Sequence, residues 1–239
     1  MSSKVSKSRK KYNTMRVIYS LALCLFPLLC EGQVTNFIQT KEGVIIALND
    51  GTLGIYPIAD NAVRIKFFKG EENPLQELVF TANKPIPEFK LSDNQSELEV
   101  KTKQIIVTLD KQTGNLRYTN NEGKVFLSEK PCSRKLIAGK VQDEPCYLAE
   151  QSFESPFDEY VFGLGQFQDG NYNLKGISRQ LIQVNSQIAL PFIYSSKGYG
   201  SLWHQYGLTD YNPNDNFITL EKYEENIFGN MHLISIVFF

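Results

Sequence analysis

Leu98-Glu99-Val100, Ile105-Ile106-Val107-Thr108-Leu109, Asn115-Leu116-Arg117-Tyr118 and Lys124-Val125-Phe126-Leu127 are four short apolar segments in close succession. Between the last three lie Asp110-Lys111-Gln112-Thr113-Gly114 and Asn120-Asn121-Glu122-Gly123. Those are turn sequences: Asn and Asp side chains bond the backbone just ahead of them, and Gly relaxes the φ restriction. Strands recurring at roughly ten-residue intervals predict a series of antiparallel hairpins, and hence a β-sandwich or barrel.

Working outward, the same pattern continues on both sides. Val44-Ile45-Ile46-Ala47-Leu48 runs into the turn Asn49-Asp50-Gly51 and then Leu53-Gly54-Ile55-Tyr56. Val63-Arg64-Ile65-Lys66-Phe67 alternates apolar and charged side chains, as a strand with one face in a core must. Downstream, Tyr147–Phe153 and Glu159–Phe162 read as strands, and Gly163–Gly176 as a long Gly, Asn and Gln loop. Ile188–Tyr194 and Tyr199–Trp203 read as a hairpin turning through Ser195-Ser196-Lys197-Gly198. Phe217–Tyr223 and Asn226–Ile236 complete the predicted strands. No segment sustains an apolar helical period over three turns, so the expected class is all-β.

The block that speaks to function runs through Asp158-Glu159-Tyr160-Val161-Phe162-Gly163-Leu164-Gly165-Gln166-Phe167-Gln168-Asp169-Gly170. It continues through Asn173-Leu174-Lys175-Gly176 and Val184-Asn185 to Pro191-Phe192-Ile193-Tyr194-Ser195-Ser196-Lys197-Gly198-Tyr199-Gly200-Ser201-Leu202-Trp203. This spacing resembles the amino-terminal domain of family 31 glycoside hydrolases, especially bacterial α-xylosidase-like and α-glucosidase-like members. The resemblance covers about residues 35–235. It implies a galactose-mutarotase-like β-sandwich, and in an intact relative the hydrolysis of α-xylosides or α-glucosides.

The residues of that block suit such a setting on their own chemistry. Gln166, Gln168, Asp169, Asn171 and Asn173 carry donors and acceptors that match sugar hydroxyls. Tyr172 and Trp203 offer flat apolar faces for a pyranose ring. Candidate carbohydrate-binding residues are therefore Gln166, Gln168, Asp169, Asn173, Asn185 and Trp203, with an α-glycoside oligosaccharide as the expected partner.

Catalysis is a separate matter. A retaining glycosidase needs two carboxylates about 5–5.5 Å apart. The resemblance puts both on the (β/α)8 barrel that follows this domain in the family. No stretch here matches the family's nucleophile motif, and a barrel takes about 250 residues. Asp158, Asp169, Asp210 and Asp215 read as charged turn residues, so no catalytic residue is assigned. Asp210 to Glu221 has the outline of an EF-hand loop, but Asp215 stands where Gly is required. Gly163-Leu164-Gly165-Gln166-Phe167-Gln168 lacks the third Gly of a dinucleotide fingerprint, and no P-loop is present. His204 and His232 are the only histidines. No metal or cofactor is therefore expected, and His204 reads as a strand residue beside Trp203.

The amino-terminal region carries Lys4, Lys7, Arg9, Lys10, Lys11 and Arg16, then an apolar run, Val17–Cys30, of 14 residues. A membrane-spanning helix needs roughly 20, so residues 1–32 read as a secretory signal cleaved after Gly32, and Met15 also qualifies as its start. Lipid attachment at Cys30 and an uncleaved anchor are the alternatives. Residues 33–239 then form one β domain with 19 Lys and Arg against 25 Asp and Glu, a net charge of −6. Such a surface is unsuited to nucleic acid, whose phosphates require a basic face.

The expected location is secreted or periplasmic, with membrane association only through the signal or a lipid. In that compartment Cys132 and Cys146, separated by 13 residues, are a candidate disulfide, with two thiols as the alternative. Leu233–Phe239 is an apolar run, which leads us to expect a sandwich cut short at its carboxyl end. The expected role is a truncated part of a family 31 α-glycosidase; the alternative is a stand-alone carbohydrate-binding or accessory module.

Overall fold

A computed structural model describes residues 32–72, 79, 85–141, 143–205, 207–211 and 235–238. Residues 1–31 of the predicted signal, with Met15 and Cys30, lie outside these residues, as do Phe217–Tyr223, Asp215, Glu221, His232 and most of Asn226–Ile236. Among the described residues there is no helix.

The strands are β1 (Val34–Gln39), β2 (Val44–Leu48), β3 (Gly51–Ala59), β4 (Ala62–Phe68), β5 (Lys90–Asp93), β6 (Glu97–Lys101), β7 (Ile106–Asp110), β8 (Leu116–Thr119) and β9 (Val125–Ser128). They continue with β10 (Lys135–Val141), β11 (Glu144–Glu150), β12 (Val161–Gln166), β13 (Arg179–Leu181), β14 (Ile188–Ser195), β15 (Tyr199–Leu202), β16 (Thr209–Tyr211) and β17 (Ser235–Phe238). One sheet has eight strands in the order β1-β2-β3-β4-β17-β15-β14-β12. A second has five, β5-β6-β7-β8-β9, and two-stranded ribbons pair β10 with β11 and β13 with β16. All the pairings between these strands are antiparallel.

Side-chain alternation explains why the sheets close on each other. Val44, Ile46 and Leu48 of β2, and Val63, Ile65 and Phe67 of β4, point inward from the large sheet. Leu98 and Val100 of β6, Val107 and Leu109 of β7, and Leu116 and Tyr118 of β8 do so from the small one. All belong to one buried cluster, which Leu136 of β10 and Tyr199 of β15 also join. Burying each such aliphatic side chain contributes about 1.5–3 kcal/mol, so the inward faces drive formation of the sandwich. β17 joins β4 to β15, with Ile236 paired to both Val63 and Ser201.

Two sequence expectations are corrected. The Gly163-Leu164-Gly165 stretch is not the start of the loop read over Gly163–Gly176 but part of β12 itself. It pairs with β14 through a register shift between Gly163 and Gly165, so the strand runs on to Gln166. The Cys132–Cys146 bridge is not formed, and Cys146 is a free, half-buried thiol. The β10–β11 register gives the reason. Cys146 lies opposite Gly139, near the tip of the hairpin, whereas Cys132 precedes its open end at Lys135↔Glu150. Four strand residues alone separate Gly139 from Lys135, about 13 Å at 3.3 Å each, beyond the reach of a disulfide.

Candidate functional site

Gln166 and Ile188 are paired neighbours on β12 and β14. The chain between them, residues 167–187, is therefore one excursion closed at its base by the sheet. Gln168, Asp169, Asn173 and Asn185 all lie on it, and Gln166 stands at its root. The fold thus gathers five of the six sequence-predicted binding residues onto one feature. β13, within the excursion, pairs with β16, with Arg179 opposite Tyr211.

Inside the excursion the residues divide by task. Gln166, Gln168 and Asn185 are exposed, as are Asn171 and Tyr172, the latter 86% accessible. Asn173 is exposed too, but its Oδ1 accepts from the N–H groups of Val161 (3.1 Å) and Lys175 (3.2 Å). Leu174 is buried beside it and donates its N–H to the Val161 carbonyl at 2.7 Å. Asn173 and Leu174 thus pin the loop onto the free edge of β12. Asp169 accepts from the Asn171 N–H at 3.1 Å and pairs with Arg179 at 2.5 Å. The Asn171 bond, supported by the Arg179 charge, holds the Asp169 carboxyl below its usual range.

Trp203 is placed differently. It follows β15, donates its N–H to the Pro191 carbonyl at 2.8 Å, and packs half-buried against the core cluster. We expect Trp203→Ala to cost about 2 kcal/mol, a large-to-small change at a partly buried position. Urea unfolding midpoints check this. An unchanged midpoint would detach Trp203 from the core and return it to the excursion as a binding face.

Beneath the excursion lies a buried carboxylate. Glu159 accepts from the hydroxyls of Ser155 (2.6 Å), Ser195 (2.5 Å) and Tyr199 (2.8 Å). These three donors come from the segment before β12, the end of β14 and the start of β15. Burial, then the Glu159 charge, pushes the Tyr199 hydroxyl far above its ordinary value. The same two causes push Tyr211 up to about 12. Glu159 therefore ties the segment before β12 to β14 and β15 as a fully bonded polar anchor; burial without such bonds would be strongly unfavourable. His204, also buried, lies 3.2 Å through Nδ1 from Arg64 Nη2. A guanidinium only donates, so Nδ1 accepts and the ring proton sits on Nε2.

Along the face of β14, Ile188, Leu190, Phe192 and Tyr194 point the same way, and Phe162 stacks on Tyr194 with centroids 5.1 Å apart. With Gly163, Gly165 and Gln166, the four β14 side chains line a mostly apolar trough of about 420 Å³. Ile188, Leu190 and Tyr194 are half-exposed. The element the sequence concealed is Arg179 over Phe167. Nothing periodic marks an Arg ten residues beyond Asp169 as its partner. Among the described residues no group of His, Cys, Asp or Glu side chains is placed to hold a metal.

The chain is thus a two-sheet antiparallel β-sandwich domain with a polar, backbone-pinned excursion at the edge of its large sheet. Residues 52–212 match the glycosyl hydrolase 31 N-terminal galactose mutarotase-like domain, and the chain belongs to that family. It is 35% identical over 162 residues to the α-xylosidase of Saccharolobus solfataricus, a match covering 63% of this chain and 22% of that protein. The crystal structure of a family 31 α-xylosidase from Xanthomonas citri superposes with a TM-score of 0.68 at 24% identity, over 72% of this chain and 19% of the other. A soil-metagenome α-xylosidase complexed with xylose gives 0.67 at 23% identity, over 85% and 32%. The chain thus spans about a fifth of the curated relative's length.

Proposed function

We propose that this chain serves as the amino-terminal domain of an exported α-glycosidase acting on α-xylosides or α-glucosides, and that excursion 167–187 contributes to the rim of its sugar site. The catalytic carboxylates belong to another domain. The observation that carries this reading is the gathering of Gln168, Asp169, Asn173 and Asn185 on one loop, with Gln166 at its root, in a domain whose relatives include α-xylosidases. Asp169 and Asn173 shape that rim through their own backbone and ion-pair bonds, while Gln166, Gln168 and Asn185 face solvent. Trp203 supports it from the core side.

Two measurements test the proposal. The purified chain should be retarded in affinity gels containing xyloglucan or α-glucan oligosaccharides, because preformed polar groups beside exposed aromatic faces bind sugars at little ordering cost. It should also release no 4-nitrophenol from aryl α-xyloside or α-glucoside. Turnover by the pure chain would refute the assignment of the carboxylates to another domain. Migration unchanged by every glycan would remove the sugar-rim role.

A further inference from the structure

We propose that Arg179 is a positioning residue that fixes the binding shape of the excursion, an inference that rests on the sugar-rim reading above. Its guanidinium carbon lies 4.1 Å from the centroid of the Phe167 ring, and Nη2 lies 2.5 Å from Asp169 Oδ2. Arg179 therefore joins the first residues of the excursion, Phe167 and Asp169, to its later part at β13.

The arrangement is asymmetric in a way that indicates a clamp rather than an incidental surface pair. The Arg179 side chain is 6% exposed, whereas Asp169 is 39% exposed. The cation has left water while its partner remains at the rim. Nε of Arg179 is also buried without a hydrogen-bond partner. An unshielded buried cation is costly, so the stacked ring and the carboxylate must together hold it in place. Its backbone is fixed by the pairing of Arg179 with Tyr211. The flexible end is therefore the loop, not the arginine.

Once Arg179 draws Phe167 and Asp169 inward, the Asp169 carboxylate accepts the Asn171 N–H, and the next residues turn outward. Gln168, Asn171 and Tyr172 are left exposed along this part of the loop. The ordering entropy a ligand would otherwise meet is then already spent in folding. The ligand class is the one in the sugar-rim reading, an α-linked xylose or glucose oligosaccharide.

Arg179→Met keeps apolar volume against Phe167 and removes the charge; Arg179→Lys keeps the charge and removes the planar stack. Loop 167–175 lies outside the main core cluster, so it can open locally without global unfolding. For Arg179→Met we expect amide exchange in residues 169–173 to accelerate roughly tenfold, with a thermal midpoint within a few degrees of wild type. Retention on oligosaccharide gels should fall by about the same factor, and Arg179→Lys should recover part of both losses. Unchanged exchange in Arg179→Met would overturn the clamp, as would loss of retention only in step with a falling midpoint. Accelerated exchange in the variant, with a wild-type chain that binds none of the oligosaccharides, would uphold the clamp and sink the sugar-rim reading instead.

Discussion

Glu129→Ala is expected to lower the free energy of unfolding by about 3–5 kcal/mol, the usual result of leaving a buried charge without its partner. Glu129 lies just beyond β9, with a side chain only 1% exposed. It accepts from the Leu116 N–H at 3.0 Å, from Arg134 Nη2 at 2.5 Å and from Gln151 Nε2. Truncation orphans all three donors at once. Arg134, itself 6% exposed, would keep only the Gly114 carbonyl and its place over the Phe67 ring. Urea unfolding measures the loss. The double replacement Glu129→Met with Arg134→Met should recover much of it, because apolar side chains of similar volume need no partner. A single variant within about 1 kcal/mol of wild type would mean that the donors find water instead.

The same carboxylate sets a pH dependence. Burial raises its affinity for protons, and the opposing pull of Arg134 and the three donors does not cancel this. Its folded-state value therefore lies above the ordinary 4.5. A raised value favours the folded state most at low pH. This contribution is fully present below about 4.5 and is lost as the pH rises through the folded value. In Glu129→Gln that component of the slope should vanish, while the opposite-signed one from the lowered Asp169 persists.

The strands that alternate on one buried face were open to reading from sequence. Val44–Leu48 is β2 residue for residue, and the hairpins from Leu98 to Leu127 fall within a residue or so of β6 to β9. Their period of two is a local signal, because each residue's environment follows from its parity. β1, with Phe37 and Ile38 adjacent, has no such parity, and β10, with a central Gly, has little. The excursion was legible as a polar loop but not as a clamped one. Its order depends on Arg179 meeting Phe167 and Asp169, a pairing set by the β13–β16 register rather than by spacing. The setting of Trp203 was not legible either. It follows β15 and packs half-buried against the core cluster, a placement decided by the sheet and not by the local sequence.

Gly165→Ala should be comparably damaging, at about 3 kcal/mol or more, through a backbone collision rather than a lost charge. Gly163, Leu164 and Gly165 all have positive φ, at 115°, 61° and 95°. Leu164 bears that strain while buried, a cost of about 1–2 kcal/mol for an L residue, and the glycines on either side let the bulge form. A Cβ on Gly165 would lie 2.0 Å from the Ile188 carbonyl oxygen, and one on Gly163 2.4 Å from that of Phe192. Both obstacles are main chain of the paired strand, so no rotamer change can relieve them. β12 would have to leave β14 where Gln166 meets Ile188, which is the base of the excursion. Gly170→Ala isolates the collision from the torsional cost. Gly170 also has positive φ, 72°, but nothing lies within 4 Å of its added Cβ, so about 1 kcal/mol is expected there. Equal urea midpoints for the two variants would show that the Ile188 carbonyl yields, and that the bulge does not hold the excursion in place. A midpoint much lower for Gly165→Ala, with amide protection lost first along β12 and β14, would show that the strained bulge fixes the root of the loop.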